Sequence, residues 1–237
     1  MTSKISNNLE LLSIHIPKTA GTSFYKALES VYGRDALLRL DFSIGKKQGL
    51  PAMIATNNTD QSLLDKIASE GKLDRGIRVV HGHFRYEHFA YMFEMEPNTR
   101  VISWVRDPIE RIVSSYNYRH SILEKEAGRT SRAQRLGNSP MRDLMQWANE
   151  PGNFRAYTNY LRGRELADYD FLGIMEHYEE ELRRLARILD MPALPNLKLN
   201  STSMKSYLPS SQERAKIAEL CKESIGIYRQ ALDLKTG

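Results

Sequence analysis

Four short apolar runs, each leading through a turn into residues spaced for a helix, restrict this chain more than any other feature. Residues 11–16 (LLSIHI) read as a first strand, and Phe24, Ala27, Leu28 and Val31 follow at helical spacing. Residues 77–80 read as a second strand, ahead of a helix around 87–93. Residues 101–105 form a third, with Ile109, Ile112, Val113 and Tyr116 on one helical stripe behind it. Residues 171–175 form a fourth, followed by a charged helix over 178–189. Runs this short, apolar on both faces, suit parallel strands buried beneath helices. The expected fold is therefore α/β: a single domain with a central parallel sheet flanked by helices. A last helix is expected over about 211–234, burying Ile217, Leu220, Cys221, Ile225, Tyr228 and Leu232. Residues 34–74 show no clear element, and residues 123–138 (LEKEAGRTSRAQRLGN) read as a polar, Arg-rich excursion.

Composition removes several alternatives. At 237 residues, without a Pro/Gly-rich linker or repeat, the chain fits one large domain. Its 41% apolar and 27% charged residues are those of a globule, not of a disordered chain. A single cysteine excludes a disulfide framework and a multi-thiolate zinc site. No apolar run approaches the ~18 residues of a membrane span, and the one before Pro17 is too short for a signal peptide. A cytoplasmic protein is expected. The net charge is +5, and residues 100–135 carry eight Lys/Arg against four Asp/Glu. Such a local surplus suits a polyanion, a nucleotide or an acidic sugar, or simply a solvated helix face.

Two strand-to-helix turns have the chemistry of anion sites. The first is Pro17-Lys18-Thr19-Ala20-Gly21-Thr22-Ser23. Small residues let backbone N–H groups close on an anion, the helix N-terminus adds its positive end, and a lysine and two hydroxyls add donors. Lys18 stands at the start of the turn, unlike the Walker pattern, which places lysine before the final hydroxyl. The second turn is Arg106-Asp107-Pro108-Ile109-Glu110-Arg111. Asp107 suits an N-cap, Pro108 the first helical position and Glu110 a capping box. Arg106 at its mouth, with Ser114 two turns along, makes a second anion site. Arg111 either joins it or pairs with a carboxylate on the helix. The strands of a parallel sheet end at one edge, so both turns should open on one crevice. Such a crevice suits a nucleotide with a 5′ chain and a 3′-phosphate.

Three segments, "HIPKTAGTSF", "HGHFRYEHFAYMF" and "VRDPIERIVSSYNY", occur in this order. In them the chain resembles the sulfotransferases that use 3′-phosphoadenosine 5′-phosphosulfate (PAPS), nearest to the carbohydrate 2-O-sulfotransferase branch. The resemblance spans residues 11–120 and continues in "FLGIMEHYEEEL" and "LNSTSMKSYLPSSQERAKI". It implies a P-loop-like α/β fold and a sulfotransferase domain over 1–237. The 5′-phosphosulfate loop would fall on Lys18, Thr19, Ala20, Gly21, Thr22 and Ser23, and the 3′-phosphate site on Arg106 and Ser114. The catalytic histidine would be His83, assisted by His81. Nucleotide contacts at Asn200, Ser203 and Lys205 are implied too. PAPS would leave as adenosine 3′,5′-bisphosphate, with no metal and no nucleic-acid partner. The acceptor would be a hydroxyl, in a sugar or glycoconjugate. Because no Golgi anchor is expected here, the branch's own acceptors do not transfer.

The chemistry also follows from the residues. Transfer of a sulfuryl group to an alcohol needs a base for the alcohol proton and positive charge at the departing oxygen. Histidine titrates near pH 6.5, which suits His83 as base, with His81 orienting it or touching the acceptor. Lys18 suits the departing oxygen. His-x-His is also metal-ligand spacing, with His88 as a third ligand. Two other readings use the same turns: a nucleotide-dependent kinase, and a non-catalytic module that binds a nucleotide or polyanion.

Overall fold

Leu11–Ile14 (β1) lies at the centre of a five-stranded sheet, completely buried at Leu11, Leu12 and Ile14. In the computed structural model, which describes residues 4–57, 59–126, 142–191, 193–197 and 207–236, β1 pairs in parallel with Val79–Gly82 (β5) and Arg100–Val105 (β6). Leu37–Arg39 (β2) lies outside β5, and Phe171–Ile174 (β7) outside β6, also in parallel. The order β2-β5-β1-β6-β7 reverses direction about β1, so the crevice at its C-terminal end is the expected ligand position.

Alternation along the strands sends side chains to two cores. Leu11, Val79, Ile102 and Phe171 meet Phe24, Ala27 and Leu28 of Gly21–Tyr32 (α1) on one face. Helix Tyr178–Ile188, which ends the chain's passage over that face, contributes Leu182 and Leu185. On the other face, Leu12, Ile14, Val80, Val101 and Ile174 pack with Phe89 of Tyr86–Met92 and with Tyr157 of Ala156–Tyr160. Gly21–Tyr32, Tyr86–Met92 and Tyr178–Ile188 are helices that the periodicity behind the runs predicts, whereas Ala156–Tyr160 is not read in the sequence.

Residues 34–74, unread in the sequence, contain four elements. β2 is followed by an antiparallel hairpin, Phe42–Lys47 (β3) and Leu50–Ala55 (β4). Gln48 (φ 51°) and Gly49 (φ 82°) form its tight turn, with positive φ at both positions. Helix Gln61–Glu70 follows, capped by the Asp60 side chain on Ser62 N–H (2.9 Å) and stopped by Gly71 at φ 63°. The expected long C-terminal helix is two helices, Ser211–Leu220 and Lys222–Thr236. They part at buried Cys221, which packs with Ile112 and Tyr116, whereas Ala231 of the second helix joins the sheet core. Each half has its own surface to cover, so one straight helix does not serve both. No helix of the described residues is long and apolar enough to cross a membrane.

β5 starts two residues later than its apolar run suggests and takes in His81 and Gly82. Beyond β2 the chain stays close to it: Leu40 N–H bonds His81 O (3.1 Å), and Phe42 N–H bonds His83 O (3.1 Å). A Cβ on Gly82 would lie 1.7 Å from the Leu40 carbonyl oxygen, a backbone atom that cannot turn aside. Gly82→Ala is expected to cost about 3 kcal/mol or more, read as a lower urea midpoint for unfolding. A midpoint within error of the parent would contradict this tight approach.

Candidate active site

The loop between β1 and α1 is strained in a useful way. Lys18 (φ 74°) and Ala20 (φ 59°) are left-handed without being glycine. Each such residue costs on the order of 1 kcal/mol, and alternating hands in a turn aim successive N–H groups at one anion. α1 then begins at Gly21 with no side-chain cap on its first amides. Thr19 is fully buried, and its Oγ1 (2.8 Å) and backbone N–H (3.4 Å) both donate to Ile16 O, so it locks the turn and its hydroxyl is not available to a ligand. Thr22 is exposed and Ser23 buried in the first turn of α1. Lys18 Nζ lies 3.8 Å from the centroid of the Tyr118 ring. Burial, and then the Arg106 guanidinium, push the Lys18 ammonium down to about 8.

The second turn follows β6, which pairs in parallel with β1, so both turns leave the same edge of the sheet. Arg106 leaves the end of β6 with its N–H bonded to Tyr157 Oη (2.8 Å), and the Tyr157 hydroxyl donates back to Arg106 O. Asp107 caps helix Pro108–Glu126 by accepting from the N–H groups of Ile109 (2.9 Å) and Glu110 (3.0 Å). Ser114 is half-buried on that helix. Two expectations fail here. Glu110 binds Arg214 Nη2 (2.6 Å), tying the helix to Ser211–Leu220 instead of closing a capping box. Arg111 neither joins the anion site nor meets a carboxylate. It is buried and donates to Asn153 O, under the Tyr157 ring at 5.8 Å.

Three imidazoles line the neighbouring strand ends. His83 follows β5 and is half-buried. Its Nδ1 lies 2.8 Å from His15 O, and its N–H bonds Asp41 Oδ1 (2.8 Å). A carbonyl oxygen only accepts, so Nδ1 carries the proton and the lone pair of the neutral ring is at Nε2. Burial lowers the His83 pKa below the ordinary histidine value, with Asp41 and the His15 carbonyl partly opposing it. Tyr160 stands edge-on to the ring, 6.4 Å between centroids.

His81 has a different place. Only 2% exposed, it exchanges a hydrogen bond with Ser13 Oγ (2.9 Å) and packs beside Phe24 and Tyr25. Burial, then His83 and Arg39, push it down to about 3, so it remains neutral. The expectation that it touches an acceptor is corrected: it is sealed beneath α1 and stacks on His15, not on His83. Among the described residues the metal-ligand spacing is not realised as a cluster. His88 turns to the hairpin, where Ile44 N–H approaches its Nδ1 at 3.4 Å.

Sequence reading overlooked two residues. His15 stacks on His83 at 4.2 Å and on His81 at 5.2 Å. Its only signal is a third histidine directly before the anion loop. Asp41, fully buried, holds the His83 backbone and pairs with Arg39 (3.6 Å). It lies in the stretch without readable periodicity. The Arg-rich residues of 127–138, with Asn200, Ser203 and Lys205, lie outside the described residues.

The arrangement is thus an uncapped helix N-terminus and two cations from two turns, next to an imidazole with a fixed lone pair. Solved structures similar to this chain include a mouse sulfotransferase, SULT7A1, complexed with PAP. That match has 14% identity and a TM-score of 0.39, covering 94% of this chain and 67% of that one. A sulfotransferase from Alicyclobacillus acidocaldarius is 13% identical with a TM-score of 0.44, over 92% of this chain and 96% of its own. No curated protein sequence matches significantly. The sequence pattern of the sulfotransferase family, however, matches residues 2–230, almost the whole length, and the chain belongs to that family.

Proposed function

We propose that this chain, as one domain, moves a sulfuryl group from PAPS to a hydroxyl acceptor, a carbohydrate, with His83 as general base. One observation carries the reading. Lys18 and Arg106, drawn from separate turns, lie close enough for one to depress the other's ionisation, and His15, next to both Lys18 and His83, links them to the oriented imidazole. Two cations held together in a part-buried crevice repel, and an anion at both relieves them. The residues present fit a nucleotide with charge at two ends: Lys18 to Ser23 for the 5′ side, and Arg106 with Ser114 for the 3′-phosphate. PAPS supplies the sulfuryl group and departs as adenosine 3′,5′-bisphosphate. Lys18 and the first amides of α1 meet the negative charge gathering on the departing oxygen. His83 Nε2 takes the acceptor's proton as its oxygen bonds to sulfur. Lysine and arginine provide the positive charge, so no metal is assigned a role. The resemblance to the 2-O-sulfotransferase branch supports a carbohydrate as the class of acceptor, while that branch's particular acceptors are not carried over.

His83→Ala is expected to abolish turnover while the affinity for adenosine 3′,5′-bisphosphate survives. The base must be neutral, and its pKa is lowered, so on the acid side kcat/KM should fall only as pH drops below ~6.5, and on the alkaline side it should fall above about 8 as free Lys18 loses its proton. Turnover retained by His83→Ala would remove the base assignment.

Lys18 should regain its proton when an anion binds. With a free-state value of about 8, binding of adenosine 3′,5′-bisphosphate at pH 8 should take up about half a proton. Calorimetry in two buffers of different ionisation enthalpy measures this, and Lys18→Arg, charged throughout, should abolish it. Uptake that persists in Lys18→Arg would place the titrating group elsewhere.

Arg106→Ala should weaken adenosine 3′,5′-bisphosphate by about 10–100-fold, the worth of a charge-assisted contact, and AMP by much less. Equal losses for the two ligands would reject a 3′-phosphate contact.

A further inference from the structure

We propose that His15 is a positioning residue for the base: its imidazole wedges His83 against the carbonyl that fixes its tautomer, and braces that assembly on the donor loop. This rests on the assignment of His83 as base, and three observations carry it.

The first is the double engagement of one residue. The His15 carbonyl receives the His83 Nδ1 proton at 2.8 Å, and the His15 ring stacks on the same imidazole, 4.2 Å between centroids at 28°. The carbonyl alone leaves His83 free to swing about that single bond. The stacked ring removes this freedom and keeps Nε2 as the lone-pair nitrogen. The second observation lies on the other side of His15. A Cβ on Gly21 would come within 1.8 Å of His15 Cε1, so the ring fills the space above the first residue of α1. The residue that opens the anion-binding helix is thus in contact with the residue that holds the base. The third is the environment of the ring itself. His15 Nε2 is buried without a hydrogen-bond partner in the described residues, so that edge of the ring is held by packing. His81 completes the wedge, stacked at 5.2 Å and itself pinned to Ser13.

An imidazole that drifts by an ångström or turns to its other tautomer presents an N–H where the acceptor needs a lone pair. Losses of about 100-fold from displacements of that size are ordinary for positioned groups. The backbone carbonyl survives any substitution at residue 15, which isolates the part played by the ring.

The test compares the parent with His15→Ala and, should that variant fail to fold, His15→Leu, which keeps bulk without a flat face. Nitrogen-15 NMR of the imidazoles is expected to show His83 protonated at Nδ1 in the parent and shifted toward the Nε2–H tautomer in the variant. kcat is expected to fall about 10–100-fold, with the Kd for adenosine 3′,5′-bisphosphate within about two-fold of the parent. An unchanged tautomer with unchanged kcat would overturn the proposal. So would a loss confined to Kd, which would make His15 part of the donor site alone. The tautomer is read without turnover, so it separates failure of this proposal from failure of the base assignment, which His83→Ala decides.

Discussion

With β1 hydrogen-bonded to β5 on one side and β6 on the other, three chain segments leave the sheet together along one edge. From β1 comes the strained loop of Lys18 and Ala20, from β5 the half-buried His83, and from β6 Arg106. The register aligns Ser13 with His81 and Ile14 with Gly82, which brings His15 beside His83. A slip of two residues in that pairing would leave the loop and the imidazole intact but separated. The apolar side chains of β1, buried on both faces, fix the register, because an odd slip would exchange the two cores.

The same edge gathers features that cost stability. Lys18 and Ala20 sit in a backbone region that L-residues avoid, two cations stand near each other, and the nitrogens of three imidazoles are largely withdrawn from water. None of these helps the protein fold. Their collection in one place is what a preorganised anion site requires, since amides and charges already in position need no reorganisation when the ligand arrives. The surrounding structure supplies the compensation: Tyr157 clamps the Arg106 backbone, Thr19 staples the loop to Ile16, and Asp41 holds the His83 amide.

Much of this was legible before the structure. The four apolar runs are all strands, and the stripes behind them are all helices, because burial on both faces writes itself into consecutive residues. The two strand-to-helix turns were legible through Lys18, Gly21 and Arg106, whose chemistry is local. Other parts were misread for identifiable reasons. The hairpin from Phe42 to Ala55 alternates weakly because only Phe42 and Met53 of its strands are buried. Asp60 and Gly71 in fact marked a helix, although its apolar face is only two residues deep in buried contact, at Leu64 and Ile67. Arg111 looked like a ligand contact because sequence shows its charge but not its burial. The C-terminal helix hid its break, since Cys221 is helix-compatible on either side.

By itself the sequence determined the layered α/β architecture, the two turns rich in anion donors and the histidine pair, all of which depend on residues near one another along the chain. Which histidine lies open at the sheet edge was decided by tertiary structure. His81 and His83 differ by two positions and share one face, yet α1 seals the first while the sheet edge leaves the second half-open. The structure alone also revealed His15 as the partner of that imidazole and Asp41 as the partner of its backbone N–H, because contacts between segments far apart in the chain have no sequence period to betray them.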